Sequence, residues 1–390
     1  MKIIALFSGL VLAAAIAAAS PPAAAAPESR PATAPTLQIV GEEEVVFSTK
    51  GDGCPLRQFP DSPARAVREA EGSIVLFATF ENNWYLRGAD WKSLKADCLS
   101  AGHGARNADP RALDDKYWIQ ALSSTDGKNF VALGSHEYLG TRHGGNCRIR
   151  TGRTMEPACW YSSITQYVSL GSARHFARAA EAPVVATPQM AFDPQGTKRV
   201  GYFTTSNIVT DGAYRYVLIF AEGSETQRRG NCLFRAPVSP LVSAWKAWDG
   251  AAFSVDLSAL PAATGDKPAA CKPVAGLPHE VRGLVRHGPS GTWIAVYSGR
   301  VGARTGVVYS TSRDLLTWSA GSLLLDAPLT RRDPDCAAVY RYPSVIDQTA
   351  PGFTFETVGE RAWLYGVKIN LAACKPVSRE IVRVPIAIVP

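Results

Sequence analysis

The feature that most restricts this chain is a unit that recurs along it: a short strand rich in β-branched and aromatic residues, a turn, another strand, then a polar turn ending on Trp or Phe. Four segments carry the polar turn: Ser123-Ser124-Thr125-Asp126-Gly127-Lys128-Asn129-Phe130, residues 168–176 ending on Phe176, Ser243-Ala244-Trp245, and residues 310–318 ending on Trp318. Alternating strands such as 117–122 and 292–297 stand nearby. The units recur at about 45 to about 75 residues, near the length of a four-stranded antiparallel sheet with insertions. Helical periodicity is nearly absent, with room for single turns over 62–70 and 91–97. The pattern predicts an all-β chain, a single five-bladed β-propeller over residues 37–390. Each polar turn would reverse the chain between the third and fourth strands of a blade, and each aromatic would fill the wedge between blades. The alternative is a set of unrelated hairpins in a β-sandwich.

The cysteines and the N-terminus point to an oxidising compartment. Met1-Lys2 followed by an apolar run over 3–19, with small residues at Ala17-Ala18-Ala19 and near Ala25, reads as a secretory signal peptide cleaved after residue 19 or 25. Residues 20–36, rich in Ala and Pro, read as a disordered leader. The eight Cys, at 54, 98, 147, 159, 232, 271, 336 and 374, all follow it, and an even count in an exported chain argues for bridges. No CxxC occurs, which argues against a zinc site. A meandering β fold joins sequence neighbours, predicting Cys54–Cys98, Cys147–Cys159, Cys232–Cys271 and Cys336–Cys374. No later segment is long and apolar enough to span a membrane. The expected product is a periplasmic or secreted monomer.

The formal charge of +7 is spread along the chain with no long basic run, unlike a nucleic-acid-binding patch. GxSxG, HExxH and P-loop motifs are missing, and bridged cysteines are not nucleophiles.

Several segments together resemble a family of exported bacterial proteins: residues 59–66 with Arg68, Asp114-Asp115-Lys116-Tyr117-Trp118-Ile119, His136-Glu137-Tyr138-Leu139-Gly140, Cys159-Trp160-Tyr161, residues 201–208, Trp245-Lys246-Ala247-Trp248-Asp249-Gly250, residues 342–347 and residues 379–385. That family is similar in shape to the five-bladed propellers of glycoside hydrolase family 43 and its furanosidase relatives. The polar turns also resemble, loosely, the Asp-box of sialidases. Where the family pattern leads one to expect Arg-Asp, this chain has Arg68-Glu69, which leaves Asp61 as the better acid of that segment. The resemblance implies a carbohydrate partner and an axial pocket with paired carboxyl groups.

Glycoside hydrolysis needs one protonated and one ionised carboxyl group flanking the scissile bond. Asp61, between two prolines ahead of a strand over 73–80, stands where the related hydrolases place their base, with Arg65 and Arg68 nearby. The same Asp could instead cap a helical turn starting at Pro63. Glu137, after a strand over 131–135, sits among apolar and aromatic residues that would raise its pKa as a general acid requires; it could equally be an exposed strand end. Asp115 is the third acid, an assistant or a turn former. Expected sugar contacts are Arg65, Arg68, His136, Trp160, Tyr161, Ser206, Asn207 and Trp248, with Glu280 a reserve acid and Arg332-Asp333-Pro334 a loop. No residue pattern calls for a cofactor, and a Ca2+ on the axis is left open. The expected activity is a glycoside hydrolase acting on an extracellular or cell-envelope polysaccharide; a non-catalytic carbohydrate-binding propeller for polysaccharide assembly or export, or a protein-interaction scaffold, are the alternatives.

Overall fold

The computed structural model describes residues 34–54, 59–149, 158–259, 268–330 and 336–389. The signal-peptide segment, most of the leader and Arg332-Asp333-Pro334 lie outside the described residues. Two short strands, β1 (Thr36–Ile39) and β2 (Glu44–Ser48), open the chain. A first meander follows: β3 (Arg65–Arg68), β4 (Ile74–Phe77), β5 (Tyr85–Gly88) and β6 (Lys95–Asp97). The second is β7 (Tyr117–Ser123), β8 (Phe130–Leu139) and β9 (Trp160–Ser169), edged by β10 (Ala177–Arg178) and β11 (Val184–Ala186). The third is β12 (Val200–Thr205), β13 (Val209–Asp211), β14 (Tyr214–Ala221), β15 (Gly230–Pro237), β16 (Lys246–Trp248) and β17 (Phe253–Val255). The fourth is β18 (Val281–His287), β19 (Trp293–Val301), β20 (Arg304–Ser312) and β21 (Ser322–Asp326). The last is β22 (Val339–Ile346), β24 (Arg361–Ala372) and β25 (Lys375–Val389), with β23 (Thr357–Val358) lying parallel to β18.

Within each meander neighbouring strands pair antiparallel. β1 and β2 both pair antiparallel with β25, so the chain's beginning completes the sheet made by its end. The second and third meanders are stitched by a short parallel pairing of β12 with β9, at Val200–Tyr161 and Gly201–Ser162. Gly201 has φ +109°, and a Cβ there would overlap the Ser162 carbonyl oxygen, so no other residue fits the junction.

Hydrophobic clusters form between neighbouring meanders and close a ring. Val67, Phe77 and Tyr85 of the first pack on Tyr117, Ile119 and Tyr167 of the second. Ala121, Leu133 and Ile164 pack on Tyr202 and Val217 of the third, Leu218 and Leu233 on Leu284 and Trp293 of the fourth, and Val285 and Ile294 on Leu364 and Ile386 of the last. Phe47, Tyr365 and Ile381 return to Ala66 and Leu76 of the first. The aromatics that end the polar turns serve this packing: Phe130 and Phe176 lie in the first junction, Trp245 in the second and Trp318 in the third. In two of those turns an Asp accepts backbone N–H groups two and three residues on, Asp126 from Lys128 and Asn129 and Asp314 from Leu316 and Thr317, and Asp249 does the same from Ala251 and Ala252 in the turn between β16 and β17.

Some local expectations are corrected. The 62–70 segment holds strand β3 and 91–97 ends in β6, because both pair with neighbouring strands rather than curl on themselves. That removes a helix-capping role for Asp61. The turn ending on Phe130 joins first and second strands, not third and fourth. β1 begins at Thr36, just inside the stretch read as leader.

The four bridges pair in chain order, Cys54–Cys98, Cys147–Cys159, Cys232–Cys271 and Cys336–Cys374, with Cα separations of 4.8–6.0 Å. Such bonds persist in oxidising compartments. Among the described residues no helix is long and apolar enough to cross a membrane.

Where the first strands of the meanders converge, one side chain binds them. Arg65 is 4 % exposed, and its guanidinium donates to four carbonyls: its own neighbour Ala64 (3.0 Å), Gln120 of β7 (2.6 Å), Thr205 of β12 (3.4 Å) and Arg282 of β18 (2.5 Å). Amide side chains repeat the device between pairs of strands. Asn83 donates to Tyr117 O and accepts from Ile119 N, Gln120 accepts from Thr205 N, and Asn207 bonds both the N–H and the carbonyl of Leu284. Each buried carbonyl left without its donor costs about 1–3 kcal/mol. Arg65→Met should therefore lower the unfolding free energy by at least about 2 kcal/mol in denaturant melts, even after the relief of desolvating a cation; an unchanged midpoint would show that the strands hold together without it.

Candidate active site

The positions just ahead of the first strands, together with Glu137, Tyr342 and Arg379, gather at one end of the ring. Asp61 precedes β3 and is tied by its N–H to Thr79 O (3.2 Å). Its Oδ1 accepts from the Tyr342 hydroxyl (3.1 Å) and from Arg379 Nη1 (2.5 Å), and its side chain remains 25 % exposed, within reach of a ligand. Arg379 also donates to Pro60 O and lies 3.7 Å over the Phe59 ring, so the residues flanking Asp61 hold the guanidinium that binds it. Tyr342 reaches Asp61 because β22 carries a register shift between Arg341 and Ser344, and Tyr342 itself takes φ 58°, a left-handed conformation costly for a bulky residue.

Glu137 lies inside β8 rather than at its end, with its N–H on Lys116 O (2.9 Å). Burial raises its pKa to about 7; the Asp61 charge pushes the same way, while Lys116, Arg199 and Arg142 pull against them. No side-chain hydrogen bond to the Glu137 carboxyl occurs among the described residues. Lys116 is buried, 5.4 Å over the Trp118 ring, and burial lowers its pKa to about 8 against the pull of Glu137.

Glu280, ahead of β18, accepts from Arg199 Nη2 (2.7 Å), from Arg282 and from Thr204 Oγ1 (3.3 Å). Burial alone would raise its pKa, but the Arg282 and Arg199 charges and these bonds bring it to about 2. A carboxylate so held does not donate a proton at neutral pH, which removes it as the reserve acid. Arg282 lies 5.0 Å over the Tyr342 ring, joining this cluster to Asp61. Beside them is a cavity of about 280 Å3 with Glu280, Arg282 and Tyr342 in its wall.

The remaining expected contacts fall elsewhere. Arg65 is spent on the axial carbonyls. Arg68 donates to Ala350 O and Gly352 O at the far end of β3 and sits over Phe355. His136 is on the opposite face of β8 from Glu137, where burial lowers its pKa to about 3 and its Nε2 accepts the Asp115 N–H. Asp115 is buried with Oδ2 3.0 Å from His143 Nε2, so it supports the β7 entrance while the next residue, Lys116, acts on Glu137. Ser206 bonds Asn207 O and Leu218 N, and Asn207 clamps Leu284, leaving neither hydroxyl nor amide for a sugar. Tyr161 donates to Met190 O and Pro188 O. Trp248 is on β16, three strand spacings or roughly 14 Å from β12. Trp160 meets the site's edge, with Arg199 6.0 Å from its ring and Phe203 against it. Glu69 is a buried acceptor for Ser73, Arg87 and Ala173 N–H, a structural group.

Lys116, Arg199, Arg282, Tyr342 and Arg379 were not read as site residues from the sequence. The alternation Glu280-Val281-Arg282, with Val281 buried in a strand, carried a usable signal for two of the charged side chains; Arg379 and Tyr342 reach Asp61 across more than 270 residues and carried none.

No family model matches the sequence, and neither does any curated protein. Solved structures similar to the chain include an α-L-arabinanase of Cellvibrio cellulosa (14 % identity, 83 % of this chain and 91 % of that one, TM-score 0.46). Others are a Bifidobacterium bifidum protein described as an exo-β-1,3-galactanase (14 %, 90 % and 94 %, 0.47) and an exo-1,5-α-L-arabinanase from a bovine ruminal metagenomic library (10 %, 84 % and 95 %, 0.45).

Burial of Glu137 has a consequence for stability. Its folded pKa, about 7, lies above the ordinary 4.5, so folding takes up a proton between the two. The stability this group contributes is full below about pH 4.5 and is lost as pH rises toward 7. Lys116 titrates above this window. Melts of Glu137→Gln across pH 4.5–7 should show a flatter profile than the wild type; parallel profiles would mean that Glu137 titrates normally.

Proposed function

We propose that this protein is an exported glycosidase, a five-bladed β-propeller whose blades are the five meanders, with Asp61 as base and Glu137 as acid. The observation that carries the reading is the division of labour between the two. Asp61 accepts two hydrogen bonds, one from a guanidinium, while the Glu137 carboxyl has no side-chain hydrogen bond among the described residues and keeps its proton up to about pH 7 because it is buried, with Asp61's charge pushing the same way. Hydrolysis of a glycosidic bond needs one carboxylate that activates water or attacks and one acid that protonates the departing oxygen. In the inverting version the carboxyl groups stand roughly 6.5–9.5 Å apart, leaving room for the water. Asp61 then removes the water's proton as the water attacks the anomeric carbon, and Glu137 gives its proton to the leaving sugar. Tyr342 and Arg379 keep Asp61 in place, and Lys116 stabilises the Glu137 carboxylate after the transfer, before a new proton restores it. The substrate is an extracellular or cell-envelope polysaccharide.

The purified protein should release reducing ends from at least one member of a panel of arabinan, xylan, fructan and bacterial exopolysaccharides. On that substrate Asp61→Asn and Glu137→Gln should each lower kcat by about 10²–10⁴-fold with little change in KM, and the alkaline limb of the wild-type rate profile should fall near pH 7. Oligosaccharide binding that survives both substitutions, with no hydrolysis by the wild type, would replace this reading with that of a sugar-binding propeller.

A further inference from the structure

The cavity beside Tyr342 has a charge pattern that cleavage of a neutral sugar does not require. Its wall carries Arg229, Arg282 and Arg341 against one carboxylate, Glu280. Glu280 already accepts from Arg199 and Arg282, and the other acid at this edge, Glu222, accepts from Arg199 and Arg229. Three guanidinium groups, Arg199, Arg229 and Arg282, thus share two carboxylates, and Arg341 is a fourth beside them. The surplus is local: Arg341, exposed at the β22 bulge, has no carboxylate within 4.0 Å among the described residues, and its one hydrogen bond is a 3.5 Å contact to Leu329 O. His279 adds a donor without adding an anion, and burial and the Arg229 charge lower its pKa. Tyr342 forms the wall shared with the carboxyl pair, because its ring lies under Arg282 and its hydroxyl bonds Asp61.

We infer that this cavity is a subsite for an anionic sugar residue, so that the substrate is an acidic polysaccharide. The inference rests on the glycosidase reading for its placement, since a chain lying across Asp61 and Glu137 would put a neighbouring residue against Arg341 and Arg282. A guanidinium offers paired N–H donors that match a carboxylate or sulfate in a bidentate manner, and in a partly enclosed cavity such a contact is screened less than on open surface. A volume of about 280 Å3 is at the small end of ligand sites, which suits one or two sugar residues. The anion is a uronate carboxylate or a sulfate ester; both use the same donors.

Binding to the intact mature protein, measured by calorimetry, separates this inference from catalysis. The probes are tetragalacturonate, its carboxyl-reduced neutral counterpart, a sulfated galactan oligosaccharide and its desulfated form. At least one anionic probe should bind tenfold or more tightly than its neutral partner, weakening as salt is added. Arg341→Glu should remove that preference, and Arg229→Gln should reduce it, with the thermal midpoint of Arg341→Glu kept near the wild-type value because, among the described residues, its side chain makes no ion pair and one hydrogen bond at 3.5 Å. A preference for the uronate or for the sulfate names the anion. Equal binding of charged and neutral partners, or a preference untouched by Arg341→Glu, overturns the inference. Anionic binding without hydrolysis would uphold it while the glycosidase reading falls; cleavage of a neutral glycan with no response to the anionic probes would do the reverse.

Discussion

A single buried cation organises the centre of this protein. Among the described residues the Arg65 guanidinium has no carboxylate partner and instead bonds carbonyls from the first strands of four meanders or the residue beside them. Its burial, with the nearby charge of Arg282, lowers its pKa to about 9, a measure of how unfavourable the position is for a cation that lacks this ring of acceptors. The strand ends can converge only because the planar fork supplies donors in several directions at once, which a lysine could not do. Asp61, Lys116, Arg199 and Glu280 of the candidate site lie one to four positions ahead of those same strands.

That dependence explains the arrangement of charge at the site. Asp61 lies four residues before Arg65, Lys116 four before Gln120, and Glu280 two before Arg282, so the geometry at the axis carries over to the charged groups of the candidate site. The carboxyl groups are then separated in character by their neighbours. Glu280 is held as an anion by two arginines, Asp61 accepts hydrogen bonds from one arginine and one tyrosine, and Glu137 faces only charges that do not bond it. Glu280 and Glu137, acids of the same intrinsic strength, thereby become different groups, and of the two only Glu137 is left to exchange a proton near neutrality.

The hydrophobic clusters complete the same logic. Each meander buries one face against the next, and the ring is finished when Phe47 of β2 packs with Ile381 and Tyr365 on the first meander. The disulfides each join residues 12 to 44 apart in sequence, so they secure loops and local strands rather than the ring closure, which belongs to the pairing of β1 and β2 with β25.

The sequence by itself determined what depends on local pattern. Alternating strands, Asp-centred turns and the aromatics Phe130, Phe176, Trp245 and Trp318 made the chain legible as repeated β meanders, and chain-order pairing of the cysteines followed from the same habit. Asp61 and Glu137 stand out as candidates because they are polar residues beside buried strands. It could not reveal which polar residues the interior would consume: Arg65, Ser206 and Asn207 look like ligand contacts in a linear reading, yet each is spent on strand carbonyls and amides from distant parts of the chain. Nor could it reveal Arg379, Tyr342 and Arg282 as partners of the carboxylates, because hydrogen bonds and charge effects depend on separations in space. Those separations are fixed only when the last strand returns to the first.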